Sequence, residues 1–241
     1  HLEIVNPVVE GSVYARQRRR GDKNGNQVMA VILHGDAAVA GQGVNQEMLN
    51  FSNTRGYGTG GTFHIIVNNQ IGFTASAQEA RSTPYCTDIA LMVHCPIWHV
   101  NGEDLHACYR VVEMAMEYRA EFQSDVVIDM YGYRRRGHSE IDDPSFTQPV
   151  MYKAIKQRPA VHQRYLEQLV RLGQMSTSQV EQVCAAWRTT LEKELTIARG
   201  ENYTPPRDSP SAVWAAYHGG PENSADETDT SVKKSRLAQL L

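Results

Sequence analysis

Two apolar, β-branched runs in the first third of the chain predict strands of a parallel sheet. Val28–Leu33 contains no polar residue and is too short for a core helix, which predicts a central strand buried on both faces. Thr62–Val67 is a second run, about one strand-helix-strand unit further along. Apolar residues between the two runs recur at helical spacing, so the pattern also predicts a helix that begins near Gly43.

The same pattern repeats in the middle of the chain. A third run, Pro96–Val100, leads into a long segment with one apolar face, which predicts a helix with Asp104 as its N-cap. A fourth run, Val126–Tyr131, predicts another strand. Strands that alternate with helices in this way predict an α/β fold with a doubly wound parallel sheet.

Beyond Pro144 the pattern predicts helices that lie on the surface or at an interface. Apolar residues recur at helical spacing over three segments, about 149–157, 160–172 and 176–199. None of these segments carries a residue that requires a catalytic role.

Both ends of the chain have the composition of connecting segments. The first 27 residues contain a turn signal at Asn6-Pro7 and a basic stretch, Arg16–Lys23, which favour a solvated surface helix and loop. Residues 200–231 are rich in Pro, Gly, Ser, Asp and Glu, which is typical of a linker. The sequence starts at His1 without a methionine, so we expect a piece of a longer protein.

Composition narrows the classes of function. The chain has 241 residues, and its 41% hydrophobic content is enough for a proper core. A net charge of −3 and the lack of any apolar run near the ~20 residues of a membrane helix lead us to expect neither nucleic acid nor a membrane as a partner. The 4 cysteines form no Cys-x-x-Cys pair, which favours reduced thiols in a cytosol-like compartment.

Polar residues follow all four predicted strands. Asp36 follows the first strand, Asn69 the second, Asn101 the third and His138 the fourth. Parallel strands all end at one edge of the sheet, the carboxyl edge at which ligands bind. We therefore expect these four turns to converge on one candidate site.

The first two turns carry the chemistry of a hard metal ion. Asp36 and Asn69 offer oxygen ligands with no thiolate or imidazole beside them, which favours Mg²⁺ or Ca²⁺ over Zn²⁺, and the carbonyl of Ile71 adds a third oxygen. Because Mg²⁺ takes about six oxygens, places remain for ligand phosphates and water. A diphosphate held through its metal is the interpretation; the alternative is that each motif is only a common turn.

His138 is the candidate for proton transfer or for holding a substrate carboxylate. The alternative is a loop histidine beside exposed arginines. Arg134–Arg136 are interpreted as solvated or interfacial rather than catalytic. For His64, His94 and His99, on or beside the strands, packing is the favoured interpretation. His34 is equally well explained as a hydrogen-bonded histidine at the end of its strand.

Four strings carry a resemblance to a known enzyme family: His34–Gly43, Val67–Thr74, Arg81–Asp88 and Tyr133–Glu140. Together they resemble the thiamine-diphosphate-dependent decarboxylating component of 2-oxoglutarate dehydrogenase. The usual cofactor motif of thiamine diphosphate enzymes is Gly-Asp-Gly followed by Asn-Asn, and Ala37 replaces the last glycine here, as in one branch. The likeness is dense through about residue 152 and looser to about residue 199.

The resemblance implies a fold of the thiamine-diphosphate-binding type and a role for each matching residue. Asp36, the Asn69 side chain and the Ile71 carbonyl would bind Mg²⁺, Ala37 would lie against the phosphates, and His138 matches an active-site histidine. The implied activity is oxidative decarboxylation of 2-oxoglutarate and transfer of the succinyl group to the lipoyl group of a dihydrolipoyl succinyltransferase component. The full-length protein would be a homodimer of the bacterial cytoplasm or the mitochondrial matrix.

The resemblance also implies an incomplete site. Family members carry further active-site histidines before the matched region, and a glutamate that activates the cofactor in a second domain after it. We therefore expect an α/β diphosphate-binding domain over residues 1–158, a helical extension over 159–199 and a partly disordered interdomain linker over 200–241, together inactive in isolation. The alternatives are a 2-oxoadipate-specific homologue, a metallophosphoesterase and a non-catalytic α/β binding module.

Overall fold

A computed structural model of the chain describes residues 2–200, 203–204 and 229–240. The chain divides into two compact units, His1–Val180 and Glu181–Leu241. Most of the segment predicted to be a linker, 200–241, lies outside the described residues.

The first unit is built on a four-stranded parallel sheet, as predicted. Its strands are β1 (Val31–Gly35), β2 (Phe63–Asn68), β5 (Ile97–Asn101) and β6 (Val126–Tyr131). They lie in the order β1-β2-β6-β5, and every neighbouring pair is parallel. Two short strands, β3 (Ile71–Gly72) and β4 (Ala75–Ser76), form a separate antiparallel pair.

Helices pack on both faces of the sheet, and further helices come after its last strand in the chain. None of the helices in the described ranges has the length and apolar content needed to cross a membrane. Those of the first unit are α1 (Asn6–Arg20), α2 (Asp36–Gly41), α3 (Gly43–Phe51), α4 (Ala77–Ala80), a 3₁₀ helix (Cys86–Val93), α5 (Leu105–Phe122), α6 (Pro149–Gln157) and α7 (Val161–Arg171). α8 (Thr177–Ala198) continues into the second unit, which also contains α9 (Lys234–Ala238).

One face of the sheet is covered by α5. The Asp104 side chain accepts a hydrogen bond from the backbone N–H of Ala107, so the predicted N-cap is present. The apolar face of α5 places Ala115 in a buried cluster with residues of β2, β5 and β6, which are Phe63, Val100, Val126 and Ile128. Burial of this stripe, rather than helix propensity, holds α5 in place.

The opposite face is covered by the helices that come before and between the first strands. One buried cluster there contains Val39 and Leu49 from α2 and α3, packed on Ile66 and Val127 of the sheet. A second joins Val13 of α1 to Ala30, Ile32 and Met48. The sheet is thus doubly wound, with helices on both faces.

The prediction that the first strand is central and buried on both faces is wrong. β1 is an edge strand, and its burial alternates: Val31 and Leu33 are 50% and 68% exposed, whereas Ile32 and His34 are buried. The cluster beneath α5 contains no β1 residue. An apolar run does not by itself show whether both faces of its strand are covered. In the described part of the chain, one face of β1 is open.

The N-terminal segment also differs from the prediction. Asn6 and Pro7 begin α1 instead of forming a turn, because proline is tolerated in the first turn of a helix. The inner face of α1 is buried, and beside Val13 it carries polar residues. Glu10 accepts hydrogen bonds from the hydroxyls of Thr59 and Thr62, at 2.8 and 2.5 Å. A solvated helix therefore describes only the outer face of α1.

A buried histidine pair joins the first two strands. His34 Nδ1 lies 2.6 Å from a Glu3 carboxylate oxygen, and His34 Nε2 lies 2.9 Å from His64 Nδ1. Burial lowers the pKa of both rings, that of His64 to about 3, so both are neutral at pH 7. If His34 donates to Glu3, its Nε2 can only accept, and His64 must carry its proton on Nδ1.

This pair predicts an acid-sensitive fold. The folded state holds the pKa of His64 below its ordinary value, so unfolded His64 binds a proton first as the pH falls. We expect the free energy of unfolding to decrease by about 1.4 kcal/mol per pH unit from this group, between roughly pH 6.5 and pH 3. In urea unfolding at several pH values, His64→Asn should reduce the slope, whereas His162→Asn, at an exposed site, should not. Equal slopes for His64→Asn and the unaltered chain would contradict the assignment.

Candidate functional site

The carboxyl ends of all four parallel strands meet at one edge of the sheet. In the strand register, Gly35 lies opposite Val67, and both Asn68 and Asn101 lie opposite Tyr131. The turns that follow these strands therefore open at the same edge, as the sequence predicts. Whether they form a working site depends on the contacts between them.

Asp36 is a buried carboxylate at this edge. It is the first residue of α2, directly after β1, and is only 3% exposed. Burial raises its pKa, and the charge of Arg81 and the backbone N–H groups of Asn69 and Ala37 partly oppose that rise. The ion pairs of the described residues do not include Asp36. A carboxylate buried without a cation in contact is costly unless something else compensates it.

The turn after β2 lies beside Asp36 and is held by its own side chains. Asn68 Oδ1 accepts from the backbone N–H of Gln70 at 3.0 Å, and Asn69 Oδ1 accepts from that of Ile71 at 3.2 Å. Gln70 has a φ of 67°, in the left-handed region that non-glycine residues seldom adopt. These hydrogen bonds give a defined conformation to the turn that carries Asn69 and Ile71.

Ala37 packs directly against the far end of this turn. A Cβ atom at Gly72 would lie 2.6 Å from the Ala37 Cβ atom, so only glycine fits at position 72. The close approach explains how a residue with a methyl group is accommodated at the position of the usual motif glycine. It also joins the beginning of α2 to β3.

His138 lies on the exposed loop that follows β6. Its ring centroid is 5.1 Å from that of Phe73, and its backbone N–H donates to Asp142 Oδ2 at 2.9 Å. Gly137 allows this turn, because a Cβ atom there would lie 2.1 Å from the Asp142 carbonyl oxygen. The loop after the fourth strand therefore reaches the segment that follows the second, and His138 contacts solvent.

Two of the arginines next to His138 contact neighbouring segments of the chain. The Arg134 guanidinium donates to the Phe73 carbonyl at 3.1 Å and lies 3.5 Å from His138 Nδ1. Arg135 donates to the carbonyls of Arg158 and Pro159. Both side chains tie the loop to neighbouring segments, which could not be predicted from their charge alone.

A cleft of about 370 Å³ opens beside Asn69 at the same edge. Glu103, in the loop after β5, forms one wall and makes ion pairs with Arg158 and Arg164, which bring α6 and α7 to the edge. The turn residue Asn101 lines this cleft, although its Oδ1 accepts only from the Glu103 N–H. The other lining residues include Gln70, Tyr131, Tyr133, Met151 and Ile155.

The donor set fits Mg²⁺ with a diphosphate. Among the described residues, no three His, Cys, Asp or Glu side chains gather as a metal site. The predicted set is instead a carboxylate, an amide and a backbone carbonyl, all hard oxygens that leave metal positions free for phosphate. Arg81 Nε, buried and without a hydrogen-bond partner in the described part, is a donor available beside Asp36. Sequence reasoning missed this arginine, although it lies within one of the resembling strings.

Comparison with known proteins identifies the family. A model described as the dehydrogenase E1 component matches residues 1–207. This chain belongs to the dehydrogenase E1 component family. It is 52% identical over 193 residues to a protein of Azotobacter vinelandii named 2-oxoglutarate dehydrogenase E1 component, covering 80% of this chain and 20% of that protein.

Two further relatives match the same share of this chain. A protein of the same name from Haemophilus influenzae is 52% identical, over 80% of this chain and 21% of its own length. A protein of Rattus norvegicus named 2-oxoglutarate dehydrogenase-like, mitochondrial, is 47% identical, over 80% of this chain and 19% of its own length. The chain spans about a fifth of the length of the relatives it matches, 20% for the first.

The metal assignment predicts opposite effects of one substitution on binding and on stability. Because burial raises the pKa of Asp36, its charged form destabilises the metal-free fold at pH 7. Asp36→Asn should therefore leave metal-free stability in urea equal or higher. In the full-length polypeptide it should weaken binding of thiamine diphosphate at fixed Mg²⁺ by more than about 100-fold, beyond the loss typical of an outer partner of a ligand.

The matched control is Glu121→Gln, at an exposed carboxylate near the C-terminal end of α5. It should change neither cofactor affinity nor stability appreciably. Asn69→Ala should reproduce the loss of affinity. Calorimetry that finds unchanged affinity in Asp36→Asn would remove this residue from the metal site.

Proposed function

We propose that this chain supplies the diphosphate and Mg²⁺ half of the active site of a thiamine-diphosphate-dependent 2-oxoglutarate dehydrogenase E1 component. The observation that carries the proposal is the buried carboxylate of Asp36, which has no ion pair among the described residues and lies beside the Asn69 turn, at the carboxyl edge of a chain of the E1 family. The half-site belongs to the proposed α/β domain, residues 1–158.

In this proposal the protein holds the cofactor by its diphosphate end. Asp36, the Asn69 side chain and the Ile71 carbonyl hold Mg²⁺, and Ala37 lies against the phosphates. Three protein oxygens leave about three positions for diphosphate oxygens and water. Bound thiamine diphosphate supplies the electron sink for loss of CO₂ from a 2-oxo acid; the protein supplies position and electrostatics.

His138 acts on the substrate side. Its ring stands exposed beyond Phe73, with the loop held by Asp142 and by the Arg134 bond to the Phe73 carbonyl. An imidazole in this place moves a proton at neutral pH or, as its cation, holds a substrate carboxylate. The guanidinium of Arg134 lies 3.5 Å from His138 Nδ1.

The names of the relatives support a proposal for the substrate, and the proposal for the partners comes from the sequence resemblance. We propose 2-oxoglutarate as the substrate and the lipoyl group of a dihydrolipoyl succinyltransferase component as the succinyl acceptor. The full-length protein is proposed to be a homodimer of the bacterial cytoplasm or the mitochondrial matrix, since the relatives come from bacteria and one is named mitochondrial. Family membership argues against a metallophosphoesterase.

The experiment is a comparison of substrates and ligands with the full-length polypeptide. Decarboxylation of 2-oxoglutarate and of 2-oxoadipate is measured with an artificial electron acceptor, and thermal stabilisation is measured with thiamine diphosphate or ADP, each with Mg²⁺. The proposal is supported if thiamine diphosphate stabilises the protein and ADP does not, and if 2-oxoglutarate is turned over faster than 2-oxoadipate. Preference for 2-oxoadipate would change the substrate, and stabilisation by ADP without turnover would favour a binding module.

We expect His138→Ala in the full-length polypeptide to reduce turnover by about 100-fold or more, the range for a positioned acid or base. Cofactor affinity should hardly change, because the proposal assigns His138 to the substrate and not to the diphosphate. His162→Ala, at an exposed histidine of α7, is the control and should retain activity. Unchanged pre-steady-state decarboxylation and acyl transfer in His138→Ala would reduce it to a loop residue.

The isolated chain of residues 1–241 should bind thiamine diphosphate weakly, show no turnover and associate with itself. The open outer face of β1 exposes Val31 and Leu33, and an edge strand with apolar side chains invites pairing. Sedimentation should therefore detect oligomers that Leu33→Lys reduces. Robust turnover by a clean monomer would show that the half-site account is wrong.

A further inference from the structure

A second carboxylate, Asp129, is completely buried in the middle of the sheet. It lies on β6, paired in register with Ile66 of β2 and His99 of β5, and is 0% exposed. Both of its oxygens have partners. Asn68 Nδ2 donates to Oδ1 at 2.9 Å, and His99 Nδ1 lies 2.9 Å from Oδ2. Through these two partners Asp129, on β6, is linked to β2 on one side and to β5 on the other, near the carboxyl edge of the sheet.

An apolar residue would be the ordinary occupant of such a position. Replacing buried ionic groups by well-packed apolar residues is often neutral or stabilising, so a role in stability alone explains Asp129 poorly. Its nearest thiol adds no second charge, because burial raises the pKa of Cys86 to about 12. What distinguishes Asp129 is the residue that it orients.

Asp129 determines which way the Asn68 amide faces. With Nδ2 directed at the carboxylate, Asn68 Oδ1 points to the backbone N–H of Gln70, from which it accepts a hydrogen bond at 3.0 Å. The flipped amide would place its oxygen against the carboxylate and lose both bonds. The bond to Gln70 closes the turn in which that residue adopts its left-handed conformation.

The end of β6 holds the same turn a second time. Gly132 N–H donates to the Asn68 carbonyl at 2.8 Å, and Gln70 Nε2 donates to the Gly132 carbonyl at 2.8 Å. The segment Asn68–Ile71 is thus attached to β6 through the backbone at one point and through the Asp129–Asn68 pair at another. Its two proposed metal ligands, Asn69 and Ile71, are held in place by these attachments.

We propose that Asp129 is a positioning residue that, through Asn68, preorganises the Asn68–Ile71 turn to receive Mg²⁺ and the diphosphate. It contacts neither the metal nor the cofactor. His99 supports it from the other side, since its ring donates toward Oδ2 and stacks on Tyr85 with centroids 4.2 Å apart. This inference rests on the proposed function of the half-site.

The test begins with Asp129→Asn in the full-length polypeptide. An asparagine at 129 has one acceptor oxygen, so it cannot accept from both His99 and Asn68. We expect the Kd for thiamine diphosphate at fixed Mg²⁺ to rise about 10- to 100-fold, the range for outer partners of metal ligands. Turnover at saturating cofactor should stay close to that of the unaltered enzyme. In the cofactor-free protein, hydrogen exchange of the Gln70 amide should become faster.

A swapped double variant tests the hydrogen-bond logic directly. In Asn68→Asp with Asp129→Asn, the new amide accepts from His99 and donates to the new carboxylate, whose second oxygen accepts from Gln70 N–H. All three bonds are regained, so the Kd and the exchange rate should return toward those of the unaltered protein. Asp125→Asn is the matched control: Asp125 is buried at the other end of β6 and accepts from Thr62 N–H, so its loss should lower stability without raising the Kd.

The outcomes separate this inference from the proposal beneath it. The His99 ring can carry its proton on Nε2 and accept from the amide of the asparagine placed at 129, so an unaltered Kd overturns the positioning role when it is found in both Asp129→Asn and Asn68→Ala, each folded. An equal rise in Asp125→Asn with no recovery in the double variant would overturn it as well. If Asp129→Asn fails to fold, Asn68→Ala decides, because it removes both bonds of Asn68 and leaves the carboxylate. Failure of the unaltered full-length polypeptide to bind thiamine diphosphate would instead overturn the proposed function, and Gln70 exchange would still show whether Asp129 holds the turn.

Discussion

The parallel pairing of β2 with both β1 and β6 is the constraint on which the candidate site depends. It brings Gly35 level with Val67 and Asn68 level with Tyr131, so the residues that follow these strands emerge together. A parallel sheet of this kind needs crossover helices, and these cover both faces of its inner strands. The rigid sheet then leaves one edge at which backbone turns are open to a ligand.

Buried carboxylates separate structural positions from functional ones. Burial raises the pKa of Glu10 and of Asp36, but Glu10 accepts from two threonine hydroxyls, whereas Asp36 has only backbone N–H groups and the charge of Arg81 nearby. Asp129 is saturated by one amide and one imidazole. Asp36 differs from both in having no side-chain hydrogen-bond donor among the described residues, and it is the carboxylate for which we propose a metal ion as partner.

The sequence predicted the elements of this fold better than their surroundings. The strand at Val126–Tyr131 and the helix capped by Asp104 have the predicted bounds or cap, because periodicity and capping are local signals. The edge position of β1 and the buried inner face of α1 were missed because they depend on which elements cover which faces. Burial of a strand is a property of its neighbours, and no pattern within the run Val28–Leu33 records it.

The same limit applies to the site. Asp36, Asn69 and His138 could be selected because each follows a strand, a feature visible along the chain. Asp129 could not, because it lies inside an apolar strand, 61 residues from Asn68, its hydrogen-bond partner. The contact of Arg134 could not be predicted for a similar reason: its bond to the Phe73 carbonyl also spans 61 residues. Motifs reveal residues that face a ligand, whereas residues that hold a motif in shape are revealed only by tertiary contacts.

The carboxyl edge of the sheet thus combines a turn that is held by hydrogen bonds and a loop that is exposed. The Asn68–Ile71 turn is attached to β6 by side-chain and backbone hydrogen bonds before any ligand arrives, so binding a metal there requires little further ordering. His138, in contrast, is exposed on a loop that a few contacts hold, with its ring against Phe73. A tightly held cofactor needs fixed ligands, and a group that acts on successive substrates must remain accessible. The turn after β2 and the loop after β6 differ in the way that their proposed tasks, holding the cofactor and acting on the substrate, require.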